Sequence, residues 1–271
     1  MVNTLQEAPA RAVRAPARSL LWLEQRALFE LGALGAAAPW LRRMGRGDRH
    51  PVLVLPGFTS SDRATVPLRM QLRSWGYWAH GWQQGRNLGP TPDVQSGLID
   101  RLSTLYQRHG RKVTLIGWSL GGIYARELAR LFPDHVRSVI TLGSPYRMTM
   151  QDRSSLSPLV DRLRDRFVGA AVDEWIAEDA RVPLVMPATS IYTRRDGIVR
   201  WHTCIDRVGP LKENVEVRGS HSGLGFNPAV LYVIADRLTQ PEDDWRPFAA
   251  PPFLRGLYPK PAEWRPRADS A

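Results

Sequence analysis

From His50 onward, short runs rich in β-branched residues alternate with stretches of helical periodicity, and no other feature constrains the fold as strongly. Six runs read as strands: Val52–Leu55, Tyr77–Trp82, Val113–Ile116, Val136–Leu142, Ala188–Thr193 and Val215–Arg218. Helices are predicted near Thr65–Trp75, Val94–His109, Leu120–Phe132 and Pro228–Leu238. The last opens with Asn227 as cap and Pro228 in the first turn. A helix between successive strands returns the chain to the start of the sheet. The pattern therefore predicts an α/β fold, a mostly parallel sheet of about six strands with helices on both faces.

Three segments fall outside the alternation. Residues 1–49 form an N-terminal extension in which Leu20, Leu23, Ala27, Leu28, Leu31 and Leu34 recur at helical spacing, with Pro39 and the Gly45–Gly47 region ending the run. Glu24, Arg26 and Glu30 interrupt it. Charges at a helix centre cost roughly 2.5–3.5 kcal/mol each in a bilayer, so the segment is not expected to span one. It is expected to pack on the body or to rest on a membrane surface as a peripheral contact. No uncharged stretch with a small-residue cleavage site marks a secretory signal, and the chain reads as cytoplasmic. Within the body, residues 50–240, the insertion 146–187 separates two strands by about forty residues, too many for a simple connection. Its own helical pattern, with Leu159, Leu163 and Phe167 on one face and Trp175 and Ile176 following, predicts a helical cap. The tail, residues 241–271, carries seven prolines and five aromatics and is expected to lie extended against the body.

Composition narrows the functional classes. With 271 residues, 43% of them hydrophobic, the chain can bury a core without metal or disulfide staples. A lone cysteine, Cys204, excludes a disulfide framework and any multi-cysteine metal site, and no two histidines have helical metal-ligand spacing. The net charge of +11 comes almost wholly from arginine, since Lys112, Lys212 and Lys260 are the only lysines. Those arginines are scattered, with no basic run and no interleaved aromatic motif, so no nucleic-acid partner is expected. Neither a phosphate-cradling loop nor a dinucleotide turn is present, and no cofactor or metal is predicted.

The chemistry resides in Val113-Thr-Leu-Ile-Gly117-Trp118-Ser119-Leu120-Gly121-Gly122, a strand that turns sharply through Gly-x-Ser-x-Gly into a helix. Glycines let the backbones close up around Ser119, which is pushed outward at the helix N-terminus. A nucleophilic serine needs a base and an orienting acid. His221, in the glycine-flanked loop after the last strand, is the predicted base. His50, His80, His109, His135 and His202 lie in strands, turns or loops ahead of it. Asp196, at the carboxyl end of the Ala188–Thr193 strand, is the predicted acid, with Asp206 as competitor. Two amides should hold a tetrahedral oxyanion: Leu120 N–H, directly after the nucleophile, and Phe58 N–H, with Thr59 as second choice, in the loop after the first strand. Trp118, Tyr146, Leu224 and Phe226 are the candidate substrate-binding residues, because they follow or flank these landmarks closely.

In this order and context, Gly117–Gly121, Asp196 and His221 resemble the nucleophile, acid and base positions of the α/β-hydrolase superfamily, in its bacterial lipase and esterase branch. The resemblance extends from about His50 to Leu238. It implies a reduced hydrolase sheet, no cofactor, and hydrolysis of small-molecule or lipid carboxylic esters through an acyl-enzyme. Two positions depart from the common pattern: Pro56-Gly57 stands where many lipases carry His-Gly, and Trp118 where His or Tyr is frequent. An acyltransferase with an alcohol or amine acceptor would use the same residues, and a non-catalytic binding protein on this fold is the further alternative.

Overall fold

Six parallel strands form one sheet in the order β2-β1-β3-β4-β5-β6 in the computed structural model, which describes residues 14–44, 47–148, 152–159, 161–162 and 182–264. The strands are β1 (Pro51–Leu55), β2 (Trp78–Gly81), β3 (Val113–Trp118), β4 (Val136–Leu142), β5 (Ala188–Tyr192) and β6 (Lys212–Glu216). Helices α1 (Arg18–Trp22) and α2 (Ala27–Leu41) precede the sheet, joined by a 3-10 turn over Leu23–Arg26. Helices α3 (Val66–Ser74), α4 (Pro92–His109), α5 (Leu120–Leu131) and α6 (Pro228–Thr239) alternate with the strands.

Period-two alternation within the strands divides the interior into two cores. Val52 and Val54 of β1 face a cluster built with Leu68, Leu72 and the apolar face of α6, while Leu53 and Leu55 face Leu98, Leu102 and Leu105 of α4 and Leu128 of α5. All of these are buried, each contributing about 1.5–3 kcal/mol of hydrophobic stabilisation. Thr91 caps α4 by accepting from Val94 N–H, and the helix stops at Gly110 in the left-handed region, φ 60°. Asn227 caps α6, with its side chain accepting from Ala229 N–H.

Element boundaries shift from the sequence pattern by up to three residues. Strand β6 begins three residues before Val215, because the polar Lys212, Glu213 and Asn214 pair with β5 while buried Glu213 binds Thr189 and Arg237. Helix α2 runs two residues past Pro39, which stands in its last turn and forgoes one backbone N–H donor there. The C-terminal tail lies on the body: Phe248 N–H donates to Glu213, the Tyr258 hydroxyl donates to the Ala229 carbonyl, and Ala262 N–H donates to the Tyr192 hydroxyl. Of the insertion, Leu163, Phe167, Trp175 and Ile176 lie outside the described residues. Its beginning crosses the loop after β5, where Ser155 N–H donates to Ile198 O and its hydroxyl to Gly197 O.

Strand order reverses between β1 and β3, with β2 on one side and β4 to β6 on the other. Loops leaving neighbouring strands at such a reversal diverge and open a crevice at the carboxyl ends. Helix α5 can start in that crevice only because residue 121 has no side chain: a Cβ would lie 2.7 Å from the Leu55 carbonyl carbon and 2.8 Å from the Pro56 oxygen. Both are backbone and cannot yield. Gly121→Ala is expected to cost about 3 kcal/mol through overpacking, a loss of roughly 6–12 °C in Tm for a domain of this size, measured by calorimetry against wild type.

Candidate active site

Ser119 stands where β3 becomes α5, with φ 52° and ψ −122°. Such a backbone costs an L-residue about 1–3 kcal/mol and persists only where neighbours enforce it. Here Ser119 N–H donates to Leu142 O of β4 (2.8 Å), and Ser119 O accepts from Gly122 N–H (3.0 Å). From the other side Gly57 presses in so closely that a Cβ there would lie 3.1 Å from that of Ser119. The serine is left half-buried at the mouth of the crevice. Leu120 N–H, the first amide of α5, has no carbonyl a turn behind it within the helix and points along the positive end of the helix dipole.

The loop after β1 supplies the second expected donor. Ser60 N–H donates to Gly57 O (3.1 Å), closing a turn with Thr59 at φ 61° and leaving Phe58 N–H outside the turn's own bond. A residue that the sequence pattern does not reveal holds this loop. Asn87 is fully buried; its backbone accepts from Thr59 N–H and donates to Ser60 O (both 2.7 Å), and its side-chain amide donates to Pro56 O (2.8 Å). The Asn87 Oδ1 accepts from the Tyr124 hydroxyl and Gly89 N–H, which ties the loop to α5. The one sequence signal there is an Asn-Leu-Gly-Pro turn at residues 87–90, which marks a turn and not a buried anchor.

At the other side of the crevice, His221 Nδ1 and Asp196 Oδ2 are 2.6 Å apart, with both residues buried. The second carboxylate oxygen of Asp196 accepts from Ile198 N–H and Val199 N–H (2.9 and 2.8 Å), which fixes the acid's plane. Burial opposes a charged imidazole, but the charge and hydrogen bond of Asp196, joined by the charge of Glu24, outweigh it and raise the His221 pKa above its ordinary 6.5. The ring rests against Gly143, the residue after the one that receives the Ser119 amide, and the Trp118 indole N–H donates to His221 O (3.1 Å). The Asp196–His221 pair is thus tied to the turn bearing Ser119 through Leu142–Gly143 and the Trp118 indole.

The competing residues are engaged elsewhere. Asp206 pairs with Arg126 (2.8 Å). His50 binds Asp48 and Thr114, and burial with nearby Arg137 depresses its pKa to about 4. His80 faces His109 at 3.0 Å, His135 stacks on Tyr106, and His202 meets Trp201 edge-on. Of the candidate substrate-binding residues, Trp118 and Phe226 keep accessible surface and meet edge to face, at 6.3 Å between centroids. Leu224 and Tyr146 are taken up by the interior: Leu224 belongs to the core, and Tyr146 shares a hydrogen bond with Ser190 (2.7 Å) beneath the Arg126 guanidinium. Neither offers surface to a substrate, because the close strand ends draw both side chains inward. A cavity of about 770 Å³ beneath the C-terminal tail, lined by Arg147, Arg194, Trp201 and Lys260, includes none of the crevice residues.

Residues 55–184 match the family described as alpha/beta hydrolase fold. Over these residues the chain has the α/β-hydrolase fold. A serine hydrolase of Mus musculus is 26% identical over 152 residues, covering 53% of this chain and 48% of that protein. A pimeloyl-acyl-carrier-protein methyl ester esterase of Shewanella woodyi is 27% identical over 109 residues, 40% of this chain and 41% of that protein. The chain therefore spans about half the length of these sequence relatives at most. Among solved structures, the mature lipase BlEst2 of Bacillus licheniformis superposes with a TM-score of 0.54 at 20% identity, covering 73% of this chain and 95% of the lipase. The monoacylglycerol lipase of Paleococcus ferrophilus gives 0.52 at 15% identity, covering 71% and 96%. These structural likenesses show a shared fold.

In this hydrolase fold Asn87→Ala is expected to remove a partner from Pro56 O and from Gly89 N–H, at a cost of about 1–3 kcal/mol. The measurement is a denaturant midpoint. Hydrogen exchange should show faster exchange at Thr59 and Ser60 than at the amides of α6.

Proposed function

We propose that this chain is a serine hydrolase that cleaves carboxylic esters through an acyl-enzyme on Ser119. The observation that supports it best is the buried 2.6 Å contact between Asp196 and His221 beside the strained turn bearing Ser119. In this reading neutral His221 takes the Ser119 hydroxyl proton through Nε2 as Oγ attacks the ester carbonyl. Asp196 holds the tautomer and stabilises the imidazolium, while Leu120 and Phe58 N–H receive the oxyanion. The alcohol leaves with the proton from His221, and water repeats the sequence to release the acid. Trp118 and Phe226 supply the apolar surface for the acyl chain.

Three sets of results are expected. Ser119→Ala should lose roughly a million-fold in turnover and all labelling by a fluorophosphonate, with His221→Ala nearly as costly and the double variant little worse. Additive losses would break the proposal. Because neutral imidazole is the competent form and its pKa is raised, kcat/KM on a neutral ester should climb with pH through an inflection above 6.5. A flat profile from about pH 5 to 9 removes His221 as base. In a p-nitrophenyl series, each added methylene should raise kcat/KM about three- to fourfold, at about 0.8 kcal/mol, until the pocket ends. A monotonic fall from acetate onward rejects the apolar pocket.

The N-terminal helix packs on the body and also keeps an apolar outer face. Leu34, Ala37 and Leu41 of α2 meet the core, and Trp40 stacks on Tyr232 of α6. On the arm's outer side Trp22, Leu28 and Phe29 are 74–81% exposed, and the exposed Arg42 and Arg43 follow α2. No helix among the described residues is long and apolar enough to cross a membrane. An exposed apolar face bordered by arginines suits the surface of an anionic bilayer. Phe29→Glu should reduce pelleting with phosphatidylglycerol vesicles. Unchanged pelleting, or a concentration-dependent dimer lost in the variant, rejects the lipid contact.

A further inference from the structure

The N-terminal arm reaches the catalytic loops with its charged side chains turned inward. The Glu24 carboxylate is buried, and it accepts from Gly197 N–H and His221 N–H through one oxygen (2.9 and 3.0 Å) and from Ser222 N–H through the other (2.8 Å). Those amides belong to two loops more than twenty residues apart, one carrying Asp196 and the other His221. Six residues along the arm, Glu30 accepts from Ser220 N–H (2.7 Å) and from the Asn227 side chain (3.0 Å). Between them, Arg26 donates to Arg195 O and Gly219 O (both 3.3 Å). The glycines of these loops make room for the arm: a Cβ on Gly197 would meet the Leu20 carbonyl, and one on Gly223 would meet the Glu30 carboxylate.

Backbone and side chain of His221 are thereby held at three points. Its N–H is held by Glu24, its carbonyl by the Trp118 indole, and its Nδ1 by Asp196. Two of these anchors come from the site itself. The third comes from a residue about two hundred positions earlier.

We propose that Glu24 is a positioning residue for the base, tying the Asp196 and His221 loops together so that the imidazole is held at the angle ester hydrolysis requires. This rests on the reading of Ser119, His221 and Asp196 given above. A carboxylate accepting three amide hydrogen bonds is a strong, directional clamp, since charge-assisted bonds are about twice as strong as neutral ones. A misplacement of a catalytic group by about 1 Å can cost on the order of a hundredfold in rate. The same carboxylate adds a second negative charge, after Asp196, on the elements packed against His221. The other charged groups there are Glu30 and Arg26 of the arm and Arg195 of the acid loop.

The test uses the full chain carrying Glu24→Gln and, separately, Glu24→Ala. Glutamine keeps the shape and one acceptor, but it loses the charge and presents an NH2 group to an amide donor. Glu24→Gln should lower kcat on a short p-nitrophenyl ester about tenfold at unchanged KM, and Glu24→Ala about a hundredfold, at temperatures well below either melting point. In both, the His221 imidazole titration, followed by NMR of labelled histidine, should move down. The inflection of kcat/KM should move with it. If Glu24→Ala fails to fold, the glutamine variant still decides the matter. Wild-type kcat and an unmoved titration overturn the proposal, as does a lower Tm with kcat and titration intact, which is what a merely structural pin would give. The NMR titration needs no substrate. Absent ester turnover and absent Ser119 labelling in wild type would therefore defeat the functional reading, while the titration still judges whether Glu24 acts on His221.

Discussion

Everything in the crevice depends on how closely the start of α5 lies against the sheet. Gly121 sits on the Leu55–Pro56 backbone, and Gly122 leaves so little space that a Cβ would fall 2.6 Å from that of Ser144. That contact forces Ser119 to φ 52°, brings Gly57 against it, and sets the first amide of α5 beside the loop after β1. A side chain at residue 121 would lift the helix away and relax the serine. It would also separate the two expected oxyanion donors. Strain at Ser119 is therefore a consequence of backbone packing, and the two hydrophobic cores on either side of the sheet supply the stabilisation that offsets it.

The second dependence is on loops rather than the sheet. Strand β5 ends in a turn whose amides fix Asp196, and β6 ends in a glycine-rich loop whose internal bonds leave the His221 amide and ring to partners outside it. Asp196 takes two amides from within its own loop. His221 has one partner in its own loop, Leu224 N–H on its carbonyl, and takes the others from elsewhere, Trp118 and Glu24 for its backbone and Asp196 for its ring. The base is thus the less self-sufficient member of the pair, and elements remote in sequence supply what its loop lacks.

This difference decides what could be read from the sequence. Strand periodicity, the Gly-x-Ser-x-Gly turn and the cap at Asn227 are local signals, and the sheet they imply is the one observed. Pairing Asp196 rather than Asp206 with His221 followed from its place at a strand's carboxyl end, and Arg126 explains where Asp206 went. Tyr146 and Leu224 looked available because they adjoin the landmarks, but adjacency in sequence does not say which way a side chain turns. Asn87 was invisible for another reason. A buried asparagine satisfying three backbone groups of a loop 27 to 31 residues earlier leaves no periodic trace.

Glu24 and Glu30 carried more information than their first reading extracted. Their charges argue against a membrane span, and that inference stands on solvation alone. The companion question is which way such charges must face. Glu30 is the only charged residue among the fifteen of α2, so the helix has no second charge with which to form a polar face. On an ordinary surface helix a lone carboxylate would point to water and the apolar residues inward. Here Trp22, Leu28 and Phe29 face outward while both carboxylates point into the protein. The inversion is tolerable because the loops beneath offer unpaired amide donors, which an aliphatic side chain would have left buried and unsatisfied. An apolar helix interrupted by isolated acids, in a chain that later places glycine-rich loops at strand ends, can therefore be read as a clamp: the acids mark the inward face, and the glycines mark where it lands.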